Sequence, residues 1–293
     1  MGSGVALITP FNEDGKIDYD VFSRLIEFHI KNKTDAIIVC GTTGEGSTLS
    51  VDERLSLFSL AVNQVSKRVP VIASTGSNST DFSIELIKEA EKCGIDAHLS
   101  VTPYYNKASQ RGIISHYYKL ADNSTKPLIV YNVPLRTGVN ITPETYFELS
   151  KHPNISAVKE ADNSITKLQK SIYLCGENLD FYIGNDDMIA AATLIGCKGV
   201  ISVLANIMPE FTHDLAYAGI KRKVAECRKM QFETIDIVEG LFSDVSPIPV
   251  KYAMEYIYGV SSVCRLPLCS MSVECQEKLK EILNRYYPSF NNL

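Results

Sequence analysis

Tryptophan is absent, and no apolar run approaches the ~18 residues that a membrane-spanning helix needs. The eight cysteines (Cys40, Cys93, Cys175, Cys197, Cys227, Cys264, Cys269 and Cys275) include no Cys-x-x-Cys pair. None of the five histidines belongs to a His-Glu-x-x-His motif. A metal site is therefore not expected. Positive charge is not in excess either: 29 Lys and Arg stand against 34 Asp and Glu, a net charge of -5. Such a balance creates no field to draw nucleic acid or anionic lipid. The first ten residues, Met1 to Pro10, have neither a basic start nor a long apolar stretch, so no signal peptide is read there. Together these absences lead us to expect a soluble cytoplasmic protein with free thiols, binding neither nucleic acid nor membrane.

What is present is ordinary for a globular chain: 45% hydrophobic and 22% charged residues over 293 positions, enough to bury a large core without staples. Short apolar runs recur at Val5–Ile8, Ala36–Val39, Val69–Ala73, His98–Val101, Leu128–Tyr131, Ile155–Val158, Phe181–Ile183 and Gly199–Val203. Their starts lie roughly thirty residues apart until the last step, the length of a strand-helix unit that returns to a parallel neighbour. Helix signals fall between them. Ser50-Val51-Asp52-Glu53 has the form of a capping box, followed by Leu55, Phe58, Val62 and Val65 at helical spacing. Asp18 precedes a stripe of Val21, Phe22, Leu25, Ile26 and His29, and Thr142-Pro143 reads as a cap with proline at the first helical position. Eight such units favour an α/β fold, a closed (β/α)8 TIM barrel, over an open doubly wound sheet. The latter would want Gly-x-Gly-x-x-Gly after the first strand, where Thr9-Pro10-Phe11 stands. Helical patterns at Pro209–Gly240, Val250–Tyr258 and Val273–Tyr286 are more than one closing helix. We therefore expect the barrel over 1–223 and an α-helical C-terminal extension over 224–293.

Barrel chemistry comes from the C-terminal ends of strands and the loops after them. The second strand ends in Gly41-Thr42-Thr43-Gly44-Glu45, a nest of N–H and O–H donors suited to a carboxylate or phosphate, or else a plain glycine turn. The fourth ends in Thr102-Pro103-Tyr104-Tyr105-Asn106-Lys107 and the fifth in Tyr131-Asn132-Val133-Pro134-Leu135-Arg136-Thr137-Gly138. Phenols there either close the core rim or point into the mouth and relay protons. Lys159 is the sharpest signal, an ammonium directly after the apolar run Ile155–Val158. A lysine leaving a strand ordinarily reaches back to solvent; one drawn into the barrel loses solvation of its charged form and can attack a ketone as the free amine. Gly184-Asn185-Asp186-Asp187 is read here mainly as a cap for the next helix. Ser246-Pro247-Ile248-Pro249-Val250-Lys251 is read as a rigid helix entry.

Taken in order, Gly41–Glu45, Thr102–Asn106, Tyr131–Pro134 with Arg136-Thr137-Gly138, Val158-Lys159-Glu160-Ala161 and Gly199–Val203 resemble the dihydrodipicolinate synthase family, of the class I aldolases that include N-acetylneuraminate lyase. The resemblance spans nearly the whole chain. It implies the (β/α)8 barrel with a helical extension, and a synthase that condenses pyruvate with L-aspartate-4-semialdehyde in lysine biosynthesis. Lys159 would form an imine with pyruvate, and no other cofactor would be required. Thr42 and Thr43 would hold the pyruvate carboxylate, and Thr43, Tyr131 and Tyr105 would form a proton relay. Tyr105 would be supplied to a neighbouring subunit, which implies a homodimer or a homotetramer built from dimers. Arg136 would anchor the semialdehyde carboxylate, with Gly184 and Ile201 lining the pocket through backbone groups.

Two positions depart from the family pattern: Ser246, where Asn is usual, and Ile183, where a small residue is usual. The nearest alternatives are another pyruvate aldolase, such as N-acetylneuraminate lyase or a keto-deoxy sugar acid aldolase, and a non-catalytic keto-acid-binding relative. Arg136 speaks against the sugar acid lyases, which generally lack it; the full set of Lys159, Tyr131, Tyr105 and Thr43 speaks against the non-catalytic relative. The resemblance also implies weak or no inhibition by L-lysine, because Phe82, Val51 and Arg54 stand where a lysine-binding cleft would want a carboxylate and polar groups, although Asn78 and Tyr104 remain.

Overall fold

Successive residues of a strand face opposite ways, so a strand buried on both sides must supply two apolar sets. In the computed structural model, which describes residues 2–287, these sets are cleanly divided; Met1 and residues 288–293, the end of the expected extension, lie outside the described residues. Eight parallel strands form a closed barrel in sequence order: β1 (Gly2–Ala6), β2 (Ala36–Val39), β3 (Val71–Ser74), β4 (Ala97–Val101), β5 (Leu128–Asn132), β6 (Ile155–Glu160), β7 (Asp180–Ile183) and β8 (Gly199–Ser202). β8 closes on β1 with Gly4 opposite Ile201. The inward set, Ala6, Ile38, Ile72, Leu99, Ile129, Ala157 and Ile201, is a narrow apolar plug. The outward set, including Val5, Ile37, Val39, Val71, Val130, Val158 and Val200, packs under the helices.

Those helices are α1 (Tyr19–Lys31), α2 (Val51–Val65), α3 (Thr80–Lys92), α4 (Gln110–Asp122), α5 (Pro134–Thr137), α6 (Pro143–Leu149), α7 (Ile165–Cys175), α8 (Ile189–Leu194) and α9 (Pro209–Ile220), followed by α10 (Val224–Glu233), α11 (Ile235–Leu241), α12 (Ile248–Tyr258) and α13 (Val273–Tyr286). The start signals act as read. Asp18 accepts from Val21 N at 2.9 Å; Ser50 and Glu53 make the reciprocal bonds of a capping box; Thr142 accepts from Thr145 N. On α2 the buried stripe is Leu57, Phe58, Ala61 and Val65, so Leu55 and Val62 flank it. Among the described residues no helix is long and apolar enough to cross a membrane, and all eight cysteines are unpaired.

Most strand boundaries shift by one or two residues from the sequence reading, and three differences are larger or bear on the site. β1 begins at Gly2, not Val5, because its first inward positions are Gly2 and Gly4, which an apolar pattern does not register. A Cβ on Gly2 would lie 2.1 Å from Asp35 Oδ2, and its φ of +128° is open only to glycine. β6 continues to Glu160, so Lys159 lies within the strand and does not end it. The stretch Pro209–Gly240 is three helices, broken where Arg222 takes a left-handed φ of +58° and again at Thr234.

Burial of two histidines makes stability depend on pH. His29, wholly buried with Nε2 unpartnered among the described residues, is pushed down to about 3 by desolvation, and His116 likewise to about 4. Unfolded, both would titrate near 6.5. Between 6.5 and the folded values the unfolded chain holds more protons, so their contribution is complete above pH 6.5 and is lost as pH falls. Each adds a slope of up to about 1.4 kcal/mol per pH unit in that window. Urea unfolding at pH 7, 6 and 5 should show this decline, and His29→Leu should roughly halve its slope, leaving the share of His116. A free energy constant across that range would contradict the assignment.

Candidate active site

The register of three neighbouring strands sets the site. Tyr131 of β5 pairs with Lys159 of β6, and Lys159 with Tyr182 of β7; of these three inward side chains Tyr131 and Lys159 line the C-terminal mouth, while Tyr182 lines a cavity at the opposite end of the barrel. Lys159 is only 6% exposed, and its Nζ lies 4.5 Å from the centre of the Tyr131 ring. Two other lysines bury their ammonium groups, but Lys251 is paired with Glu45 and Lys167 with Glu160 and Asp162. Lys159 has no ion-pair partner among the described residues. A buried amine beside a ring face, outside any ion pair among the described residues, is placed to act as a nucleophile.

Above it opens a cavity of about 460 Å³ whose lining includes Thr42, Thr43, Tyr131, Arg136, Lys159 and Gly184. The expected residues of β2, β5, β6 and β7 thus converge. Thr43 is buried and Thr42 exposed on the Gly41–Gly44 turn. Arg136, on α5, keeps its guanidinium at the rim and donates from Nη2 to Ser246 O at 3.1 Å. Gly184 donates its N–H to Glu160 O, and a Cβ there would sit 3.1 Å from Lys159 Cε and 3.0 Å from the Ala161 methyl. Glycine at this position leaves the lysine its room.

Two buried carboxylates were not singled out by sequence. Glu160, next to the lysine and facing outward, accepts from Asn132 Nδ2 at 2.7 Å, Tyr146 OH at 2.7 Å and Asp162 N at 2.9 Å. Those bonds fix the end of β6. Asp186 corrects the reading of Gly184–Asp187 as a helix cap. It is fully buried and accepts from Ser202 Oγ at 2.5 Å, Val203 N at 3.0 Å and Leu204 N at 2.9 Å. Its carboxylate therefore braces the turn after β8 and not the helix that follows it. Desolvation holds its pKa above the ordinary aspartate value, opposed by these bonds and by the charge of Lys159. No local motif announces either role; the one available hint was a charge at Glu160 on the outward, apolar side of a strand.

Two expected residues stand apart. Tyr105 is 90% exposed, with φ at +73°, and does not line the cavity of its own chain. Ile201 belongs to the apolar plug and lines a separate cavity of about 230 Å³ with Gly4, Ile38, Ile72 and Tyr182; its side chain is not at the mouth, which leaves only its backbone for the expected role. Arg54 and Tyr104 line a further cavity of about 300 Å³ that shares Thr42, Tyr131 and Arg136 with the mouth and has no carboxylate in its lining. Phe82 lies outside it, partly exposed. No group of three or more potential metal-ligating side chains occurs among the described residues.

Residues 1–286 match the model of the Dihydrodipicolinate synthetase family. Over 285 residues the chain is 47% identical to 4-hydroxy-tetrahydrodipicolinate synthase 1 of Clostridium acetobutylicum, covering 97% of each. Among solved structures it is similar to a dihydrodipicolinate synthase from Aquifex aeolicus (TM-score 0.95, 40% identity, 97% of each chain). It is also similar to the chloride-inhibited dihydrodipicolinate synthase from Acinetobacter baumannii complexed with pyruvate (TM-score 0.95, 37% identity, 97% of each chain).

Proposed function

The chain belongs to the Dihydrodipicolinate synthetase family, and from that premise we propose that Lys159 carries its reaction as a Schiff-base nucleophile. The activity is that of a 4-hydroxy-tetrahydrodipicolinate synthase, condensing pyruvate with L-aspartate-4-semialdehyde in the diaminopimelate route to lysine. The observation that supports the role of Lys159 is its buried, unpaired ammonium at the barrel mouth. As the free amine, Nζ adds to the pyruvate ketone and expels water. The resulting iminium withdraws electrons from the adjacent methyl, which loses a proton to give an enamine, and the enamine carbon attacks the aldehyde. The imine is itself the electron sink, so the chemistry calls for no cofactor.

In this reading Thr42 and Thr43 receive the pyruvate carboxylate, while Thr43, Tyr131 and Tyr105 relay protons. Gly184 and the backbone of Ile201 border the bound substrate. Arg136 takes the carboxylate of the semialdehyde, the contact that separates this reading from a sugar acid aldolase. Arg136→Ala should then raise the KM for semialdehyde by about tenfold or more while leaving pyruvate trapping on Lys159 intact. Equal loss of trapping would make Arg136 structural. A coupled assay with both substrates tests the whole reading: turnover requiring pyruvate and semialdehyde together supports it, and cleavage of a sugar acid without semialdehyde dependence overturns it.

The exposed Tyr105 motivates the assembly part of the proposal, a homodimer or a tetramer of such dimers in which each subunit lends this phenol to its neighbour. Mixing Tyr105→Phe with Lys159→Ala subunits should restore activity, since one site of each hybrid would have both groups. Hybrids that form and stay inactive would show that each subunit completes its own site. We also assign residues 1–223 to the barrel and 224–293 to an extension packed on it; because buried side chains of α11–α13 share one core with β1, α1 and α2, a chain ending at 223 should be inactive and markedly less stable. Eight unpaired cysteines suit a reducing cytoplasm, which cell fractionation can check.

A further inference from the structure

The structure assigns Lys251 as a positioning residue for the Thr42-Thr43 turn, gripping it through Glu45 from the C-terminal extension; the assignment rests on the reading of that turn as the pyruvate carboxylate site. Lys251 of α12 is 0% exposed, and its Nζ donates to Glu45 Oε1 at 2.6 Å and to Val263 O at 2.5 Å. The same ammonium lies 4.3 Å from the centre of the Phe11 ring. Glu45 Oε2 accepts the N–H of Arg265 at 2.9 Å. Arg265 is in turn held by paired bonds to Glu53 at 2.8 and 2.6 Å, and it donates to Gly15 O and Thr48 O. The carboxylate of Glu45 is thus gripped at both oxygens by groups from the last fifth of the chain.

The pair sits where it can set geometry. The turn is flanked by non-glycine residues in the left-handed region, Cys40 at φ +56° and Glu45 at +52°. Such a conformation persists only when its surroundings over-determine it. Bonds within the turn, Glu45 N to Thr42 O at 3.1 Å and Gly46 N to Gly41 O at 3.0 Å, close it on itself. Thr9 Oγ1 fastens Gly44 O at 2.7 Å. None of these bonds fixes the direction of the Glu45 side chain; Lys251 does so together with the N–H of Arg265. A fully buried ion pair adds little to stability compared with an apolar pair of the same shape, and its attested use is to fix register. Here the register it fixes is that of Thr42 and Thr43, three and two residues from Glu45.

Lys251→Met keeps the length of the buried stem and removes the charge. In the folded variant we expect the KM for pyruvate to rise about tenfold or more. The KM for semialdehyde should stay within about twofold, and borohydride should still trap pyruvate on Lys159 at saturation. Measured per trapped site, this split is not moved by a loss of folded protein alone. In a Thr43→Val background the same substitution should add clearly less than it does in the parent, because one of the two hydroxyls it positions is already gone. A pyruvate KM unchanged in folded Lys251→Met, or full additivity with Thr43→Val, would overturn the assignment. Should Lys251→Met fail to fold, Glu45→Gln decides: an increase of about threefold or more supports the grip, and a parent-like value overturns it. If the parent enzyme gives no adduct on Lys159, the Schiff-base reading itself has failed; an adduct in the parent with an unmoved KM in the variants rejects only the role of Lys251.

Discussion

Replacing Lys159 with alanine is expected to lower the condensation rate by about 10³-fold or more, because the only covalent route through the site disappears with the amine. Lys159→Arg should be equally inactive. It keeps a positive charge beside the Tyr131 ring, yet a guanidinium is never deprotonated in a protein and cannot add to a ketone. The parent, treated with pyruvate and borohydride, should have a single reduced adduct. Peptide mapping that finds it on Lys107 or Lys251, or finds none, would remove Lys159 from the mechanism. Competition at the right end of the barrel is weak, since the amine of Lys251 is engaged with Glu45 and Val263.

The second large effect concerns stability. Asp186→Ala would strip partners from three buried donors at once, Ser202 Oγ and the N–H groups of Val203 and Leu204. Buried N–H groups left without an acceptor each cost about 1–3 kcal/mol, so a loss on the order of 3–5 kcal/mol is expected, tempered by any water that enters. Asp186→Asn should lose roughly half as much, since one acceptor oxygen survives. Urea unfolding of both variants reads the difference. A change below about 1 kcal/mol for the alanine variant would mean that the turn after β8 is held by packing alone.

How much of this was legible beforehand follows from what each residue depends on. Barrel closure was readable because it rests on periodicity: eight apolar runs at strand-helix spacing admit few topologies. Lys159 was readable because a charge directly after an apolar run is a local anomaly, and the threonine turn because Gly41 and Gly44 directly flank its two hydroxyls. Asp186 was not, because its partners at 202–204 are sixteen and more residues away and nothing in Gly184-Asn185-Asp186-Asp187 distinguishes a brace from a cap. The start of β1 was missed for a different reason. An apolar scan scores glycine as a break, and the first inward positions of this strand are Gly2 and Gly4. Tyr105 was named through resemblance alone, and its exposure has meaning only in relation to a second subunit.

The grip of Lys251 on Glu45 also orders events in time. The two residues are separated by 206 positions, and a ribosome adds roughly 5–20 residues per second. Some 10–40 s therefore pass between synthesis of the threonine turn and the appearance of the lysine that secures it. During that interval the growing chain gains Tyr131, then Lys159, then the last strand of the barrel, all before the lysine that secures the substrate turn. The earliest functional segment to be made is among the last to be locked, so a nascent chain acquires its reactive amine well before it acquires a fixed place to bring the ketone.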